Sequence, residues 1–215
     1  MATFAKTHRS WARSFEGHSI DLHSAKEWRP NDNSRPILLI GGVHGDEPEG
    51  VEMAERCKDW LSSNPSACPW IVITCLNPDG ALRLQRTNGN GVDLNRNFPA
   101  QSWSNAFQNP RYYPGPSAGS EPEIQAVVNL IKKEKPRLVI HCHSWHPCIV
   151  YTGAPALKDA RRLSDASGYP LKTEIGYPTP GSLSQFGWHD HKIPVICVEA
   201  QEQSPLAEVW PRFAA

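Results

Sequence analysis

The chain has 215 residues, enough to bury one full sheet-centred core and tight for two. Lysine plus arginine and aspartate plus glutamate both number 22, so the formal net charge is zero, which gives no electrostatic support for a nucleic-acid or anionic-membrane partner. No run approaches the ~20 apolar residues of a membrane span, and the opening MATFAKTHRSWARSFEGHS lacks the apolar core and small-residue cleavage site of a secretory leader.

In chain order, short apolar runs alternate with helical patterns, the arrangement of an α/β protein. Pro36-Ile-Leu-Leu-Ile-Gly reads as a buried strand, followed by a turn over Gly41-Gly-Val-His-Gly45. A helix is expected from Glu47 to Ser62, with Ala54, Cys57 and Leu61 at helical spacing and Pro48 in the first turn, where proline is tolerated. Trp70-Ile-Val-Ile-Thr-Cys-Leu is a second strand, closed by the turn signal Asn77-Pro-Asp-Gly80. Residues 81–120 are rich in Asn, Gly, Pro and Arg with little periodicity, and so long a loop inside a domain is more often functional than not. A helix follows over Pro122–Lys133, with Ser120 expected as its N-cap. Arg137–His143 and Cys148–Tyr151 read as strands, Ala156–Ser167 and Ser182–His189 as helices, Pro194–Glu199 as the last strand and Pro205–Phe213 as a final short helix. The six cysteines, Cys57, Cys68, Cys75, Cys142, Cys148 and Cys197, include no CxxC pair. Buried free thiols in a reducing, cytoplasmic setting are expected rather than a zinc finger.

Three strand ends carry metal-type or acid/base residues: His44 with Glu47, His143, and Glu199. A histidine and a glutamate three residues apart, across a turn into a helix, can converge on one point, and zinc accepts both donor types. Alone, His-x-x-Glu is weak, since a surface histidine followed by a helix-start glutamate is common. The segment Gly91-Val-Asp-Leu-Asn-Arg-Asn-Phe-Pro99, if extended, puts Asp93 and Asn95 on one face beside Arg96; as a bland alternative it is a solvated loop. His141, Cys142, His143 and His146 all lie near the third strand end, and on a strand His141 and His143 share a face. A glutamate ending an apolar strand, Glu199, needs a reason, because burying its charge is costly.

The order His44-x-x-Glu47, Asn77-Pro-Asp-Gly80, an arginine, Gly91-Val-Asp-Leu-Asn-Arg-Asn-Phe98, His143-Ser144 and a late strand glutamate resembles the M14 zinc carboxypeptidase family over Pro36–Gln201. The resemblance implies a single domain over residues 1–215, built on a mixed, mostly parallel twisted sheet flanked by helices. It implies one zinc per chain held by His44, Glu47 and His143, since the family ligand precedes a serine at the strand end and Tyr151 fits that register. His141 then sits one step deeper. Asp93 would accept a hydrogen bond from the far nitrogen of His44. Asn95 and Arg96 would bind the substrate's terminal carboxylate, a task suited to the planar guanidinium fork. Arg86, with Arg83 as rival, would polarise the scissile carbonyl. Glu199, with Glu202 as rival, would be the general base. Tyr177 falls where the family has a mobile substrate-capping tyrosine, although an ordinary loop aromatic fits nearly as well.

Within the family, the GGVHGDEPEG, RTNGNGVDLNRNFP and YPTPGSL segments resemble the small bacterial murein peptide amidases. That likeness implies hydrolysis of the γ-D-glutamyl–diaminopimelate bond in a small murein-derived peptide, while the balanced charge and the lack of a long apolar run lead us to expect no nucleic-acid or membrane partner. Ser144-Trp-His-Pro147 departs from that subgroup, and Gln185 and His189-Asp-His191 are the candidates for side-chain selection. Two other classes share features with the chain. A zinc deacylase of the aspartoacylase or succinylglutamate desuccinylase type also has His-x-x-Glu and an Asn-Arg pair, and a non-catalytic binding module would not need Glu199.

Overall fold

The structure is a computed structural model and describes residues 4–29, 35–66 and 68–214. Eight strands join one sheet: β1 (Ala5–Arg13), β2 (Ser19–Ala25), β3 (Ile37–Ile40), β4 (Trp70–Ile73), β5 (Leu138–Trp145), β6 (Cys148–Thr152), β7 (Leu171–Lys172) and β8 (Val195–Gln201). Their order is β1-β2-β4-β3-β5-β8-β6-β7. The middle strands β4, β3, β5 and β8 are mutually parallel. β1 and β2 add an antiparallel edge on one side, and β6, antiparallel to β8, carries β7 on the other. The sheet is mixed with a parallel centre, as the sequence implied.

Strand alternation divides the core between the two faces. Leu38, Ile40, Ile71, Ile73 and Val139 point to one face, where Ile124, Val127 and Ile131 of helix α3 (Pro122–Glu134) cover them. Leu39, Val72, Leu138, Ile196 and Val198 point to the other, under Met53 and Ala54 of helix α1 (Pro48–Ser63) and Ala160 of helix α4 (Leu157–Ser167). Both faces being covered explains why the central strands read as unbroken apolar runs.

Several expectations change. The amino-terminal hairpin β1–β2 adds to the expected elements; its first strand is exposed or half-buried throughout and alternates only weakly. Asn77-Pro-Asp-Gly is not a plain turn but opens a short helix α2 (Pro78–Arg83), capped by the Asn77 side chain, which accepts from the Gly80 N–H at 2.8 Å. Ser120 is not the N-cap of α3; the extended residue before Pro122 is Glu121, and the Ser120 hydroxyl donates to its carboxylate at 2.6 Å. Residues 94–96 are not extended but form a 3-10 turn, because Asp93 caps the Asn95 N–H at 2.9 Å. The helix expected over 182–189 is π-helical across Gln185–Asp190. β5 and β8 run on to Trp145 and Gln201, so His143 and Glu199 lie inside strands, paired side by side, rather than at their tips. Only Leu206–Val209 of the final segment is α-helical (α5), with a 3-10 turn over Trp210–Arg212.

Candidate active site

The carboxyl ends of the parallel strands β3, β5 and β8 meet on one side of the sheet, where open α/β folds place their ligands. After β3 the chain turns through Gly45, which rests on α2 so closely that a Cβ there would stand 2.0 Å from the Gly80 carbonyl carbon. Asn77 ties the same loop down, donating its amide to the carbonyl oxygens of Val43 (3.4 Å) and Arg86 (3.2 Å). These contacts aim His44 at the sheet. Glu47 is the N-cap residue of α1, but its carboxylate does not cap the helix. One oxygen lies 2.7 Å from His44 Nδ1 and the other 2.7 Å from His143 Nδ1, while the two Nδ1 atoms are 3.0 Å apart. All three residues are buried.

The outer nitrogens of both rings are held. His44 Nε2 meets Asp93 Oδ1 at 3.0 Å, and His143 Nε2 meets His141 Nδ1 at 2.8 Å. Asp93 also accepts from Arg86 Nε at 2.9 Å, and Arg86 donates through Nη1 to Glu47 at 3.1 Å. If both outer nitrogens carry the ring protons, two Nδ1 lone pairs and a carboxylate converge with no hydrogen between them. That cluster is repulsive unless a cation sits there. Two imidazoles and a carboxylate are a donor set suited to zinc, so the residues fit that metal.

The charges follow from these neighbours. Burial works against the Glu47 carboxylate, yet His44 and His143 hold it well below the usual range. Burial likewise opposes Asp93, and Arg86 with His44 overcomes it, keeping the carboxylate ionised. Glu199 differs: burial raises its pKa, and His143 offsets this only in part. Burial and the neighbouring His143 and His44 push His141 well down, so its ring is neutral.

Above this cluster lies a cavity of about 760 Å³. Arg86 and Arg96 face it, both stacked over the Tyr112 ring at 5.2 and 5.7 Å. Asn95 is oriented by its side-chain oxygen, which accepts from the Leu183 N–H at 3.0 Å. Glu199 lines the same cavity, as does Tyr177, whose half-exposed ring packs edge-on against Trp145 at 5.8 Å.

The description "zinc carboxypeptidase" belongs to the family model, Peptidase M14, that matches residues 5–173. The chain belongs to the M14 zinc carboxypeptidase family. It is 36% identical over 160 residues to murein peptide amidase A of Escherichia coli strain K12, covering 69% of this chain and 64% of that relative, so the chain spans under two thirds of its length. It is 30% identical to murein peptide amidase A of Vibrio campbellii, over 92% of this chain and 81% of the relative. The crystal structure of a murein-tripeptide amidase from Escherichia coli O157 superposes with a TM-score of 0.79 at 30% identity, covering 96% of this chain and 87% of that one.

The M14 motif residues read from the sequence come together. His143 faces His44 and Glu47, whereas His141 lies one layer deeper and Cys142 points to the opposite, apolar face. His146 stacks on Trp145 at 4.5 Å, away from the cluster. The two arginines separate cleanly: Arg86 is buried in the site, while Arg83 is half exposed and paired with Glu16 at 2.6 Å. Glu199 is buried and Glu202 exposed at the cavity rim. Gln185 and His189 line the cavity; Asp190 instead binds the Gln101 N–H at 2.9 Å, and His191 packs on Phe186 at 4.4 Å. Sequence reading missed Arg111, a third cavity arginine paired with Asp46 at 2.7 Å, because nothing local marks a residue in so irregular a loop. It also missed Cys197, which donates to Glu199 Oε1 at 3.3 Å, although two residues of spacing on one strand was the available signal.

Proposed function

We propose that the chain is a single catalytic unit, a zinc-dependent amidase of carboxypeptidase type that cuts an amide bond beside a free carboxylate, namely the γ-D-glutamyl–diaminopimelate bond of murein peptides. The observation that carries this reading is the convergence of His44, Glu47 and His143 at the floor of a cavity that also holds Glu199, Asn95 and Arg96. The relatives named murein peptide amidase support the choice of substrate.

His44, Glu47 and His143 would hold one zinc. Bound there, it supplies a Lewis acid that polarises the carbonyl and lowers the pKa of water to ~7. Asn95 and Arg96 take the free carboxylate of the diaminopimelate half and so fix which amide is presented. Arg86 donates to the carbonyl oxygen as negative charge builds on it. Glu199 removes a proton from the attacking water and returns it to the leaving amine. The raised pKa of Glu199 suits a group that must both accept and release that proton. Tyr177, at the mouth, closes over the bound peptide.

The test is mass spectrometry of products from L-alanyl-γ-D-glutamyl-diaminopimelate, ordinary carboxyl-terminal peptides and N-acyl amino acids, offered side by side. Free diaminopimelate is the expected product. Activity confined to N-acyl amino acids would instead make the enzyme a deacylase.

A further inference from the structure

Beneath the residues that line up with the reaction lies a second layer that no step above uses. β5 and β8 are parallel, with His143 beside Glu199 and, two residues earlier on each strand, His141 beside Cys197. Strand pleating puts all four side chains on one face. The upper pair carries the third ligand and the base; the lower pair is a buried histidine and a buried cysteine. A ring nitrogen of His141, one of His143 and the sulfur of Cys197 lie within 4.8 Å of one another.

Each lower residue contacts an upper one. His141 Nδ1 is 2.8 Å from His143 Nε2. The Cys197 thiol donates to Glu199 Oε1 at 3.3 Å. The first contact fixes a tautomer. For His143 Nδ1 to offer its lone pair beside Glu47, the ring proton must sit on Nε2, and His141 Nδ1 must accept it. His141 is then neutral and protonated on Nε2, a nitrogen that is buried and has no hydrogen-bond partner among the described residues. Leaving that donor unpaired is unfavourable, a cost that an apolar side chain packed in the same place would avoid. A ligand's outer nitrogen that must be anchored gives it a reason to stay.

We propose that His141 and Cys197 are positioning residues of the hydrolytic site: His141 fixes the tautomer and ring angle of the zinc ligand His143, and Cys197 fixes the carboxylate of Glu199. The proposal rests on the zinc-site reading given above, and it divides the two tasks: His141 acts on metal retention, Cys197 on turnover.

The experiment measures zinc affinity by chelator competition, and kcat and KM separately, for the wild type, His141→Ala, His141→Asn, Cys197→Ala and Cys197→Ser. His141→Ala should still take up one zinc at saturation, but with affinity 10- to 100-fold weaker. His141→Asn should recover most of that loss, because its side-chain oxygen occupies the place of Nδ1 and accepts the same hydrogen. Cys197→Ala should bind zinc within about twofold of wild type, with kcat reduced roughly tenfold and KM unchanged; Cys197→Ser, whose hydroxyl still donates, should restore kcat. Wild-type zinc affinity in His141→Ala, or no recovery in a folded His141→Asn, overturns the role of His141. An unchanged kcat in Cys197→Ala overturns that of Cys197. A sulfur neighbour in zinc X-ray absorption of the wild type overturns both, since Cys197 would then be a ligand. A wild-type chain that takes up no zinc would instead defeat the underlying site reading.

Discussion

Around the cavity, Glu47, Asp93 and Glu199 are buried beside two imidazoles and a guanidinium. Where α2 and the start of α3 meet the turn of the amino-terminal hairpin, Asp79, Glu121 and Glu123 are just as deeply buried, but most of their partners are amides and hydroxyls. Asp79 takes the Ser14 hydroxyl, the Glu16 N–H and His18 Nδ1. Asn88 spreads one amide nitrogen over Glu121 at 2.8 Å and Glu123 at 3.3 Å. The second region contains a three-donor group, Glu16, His18 and Asp79, much like the first. The difference is where the donors point. In the hairpin region the carboxylates accept from amides and hydroxyls whose hydrogens lock one segment to another. In the cavity the lone pairs converge on one point, and each imidazole makes its other hydrogen bond on the far side of its ring. Counting acidic and histidine side chains would not distinguish the two; following their hydrogens does.

The contrast predicts opposite consequences for substitution. Breaking the cavity set should cost metal and turnover while leaving the fold; breaking the hairpin set should cost stability while leaving chemistry. The largest effect is expected for His143→Ala, which removes one of the three proposed ligands: metal analysis after dialysis should find well under one zinc per chain, and hydrolysis should disappear. Full zinc retention in that variant would move the third ligand elsewhere, with His141 the first alternative. Next comes Glu199→Gln, which keeps zinc and a near-wild-type melting temperature while kcat/KM falls by ~10²–10⁴. Near-normal turnover by the metal-replete variant would remove Glu199 from the reaction.

How much of this was legible in the sequence depends on the range of the interaction. The central strands were visible because burial on both faces leaves unbroken apolar runs such as Trp70–Ile73. His44, Glu47, His143 and Glu199 were visible as candidates because each is attached to such a strand or the turn just after it. Arg86 against Arg83 was not decidable, since the choice is made by a contact with Asp93 across the irregular loop and by Glu16 on the hairpin. The hairpin itself was missed because an edge strand facing solvent keeps polar residues on both sides, as β1 does. The shape of residues 94–96 is left open by the sequence, between an extended stretch and a loop, and the capping side chain of Asp93 decides it. Local capping outweighed alternation there, and it still delivers Asp93 to His44.

On the hairpin side, Asp79→Asn should lower stability by about 1–3 kcal/mol, because a buried acceptor of three donors is replaced by a group that must also place two hydrogens. Its hydrogen bonds and the charge of His18 outweigh burial and hold the Asp79 pKa below the ordinary value. Its contribution is therefore present above the unfolded-state value of ~3.9 and lost as pH falls through the folded one. Urea titrations of wild type and variant should thus converge in strong acid, while kcat/KM at neutral pH stays within a few-fold of wild type. A collapse of turnover without loss of stability would erase the division between the two regions.

The smallest effect, and the most discriminating in sign, is expected at Glu123. Burial raises its pKa, and the Phe15 N–H at 2.9 Å and the Asn88 amide do not fully compensate, with the Asp79 charge adding to the rise. A group with a raised folded-state pKa binds its proton more tightly when folded. Its favourable contribution is complete below the unfolded-state value near ~4.3 and is lost as pH rises through the folded one. At neutral pH the ionised carboxylate is a penalty. Glu123→Gln keeps an oxygen for the Phe15 N–H and the Asn88 amide and removes that penalty. The variant should equal or exceed the wild type in stability at pH 7, by up to about 1 kcal/mol, and the gain should vanish below pH ~4. A clear loss at pH 7 would mean that Glu123 is needed as an anion, for a cation held between it and Asp79, and the second region would then resemble the first.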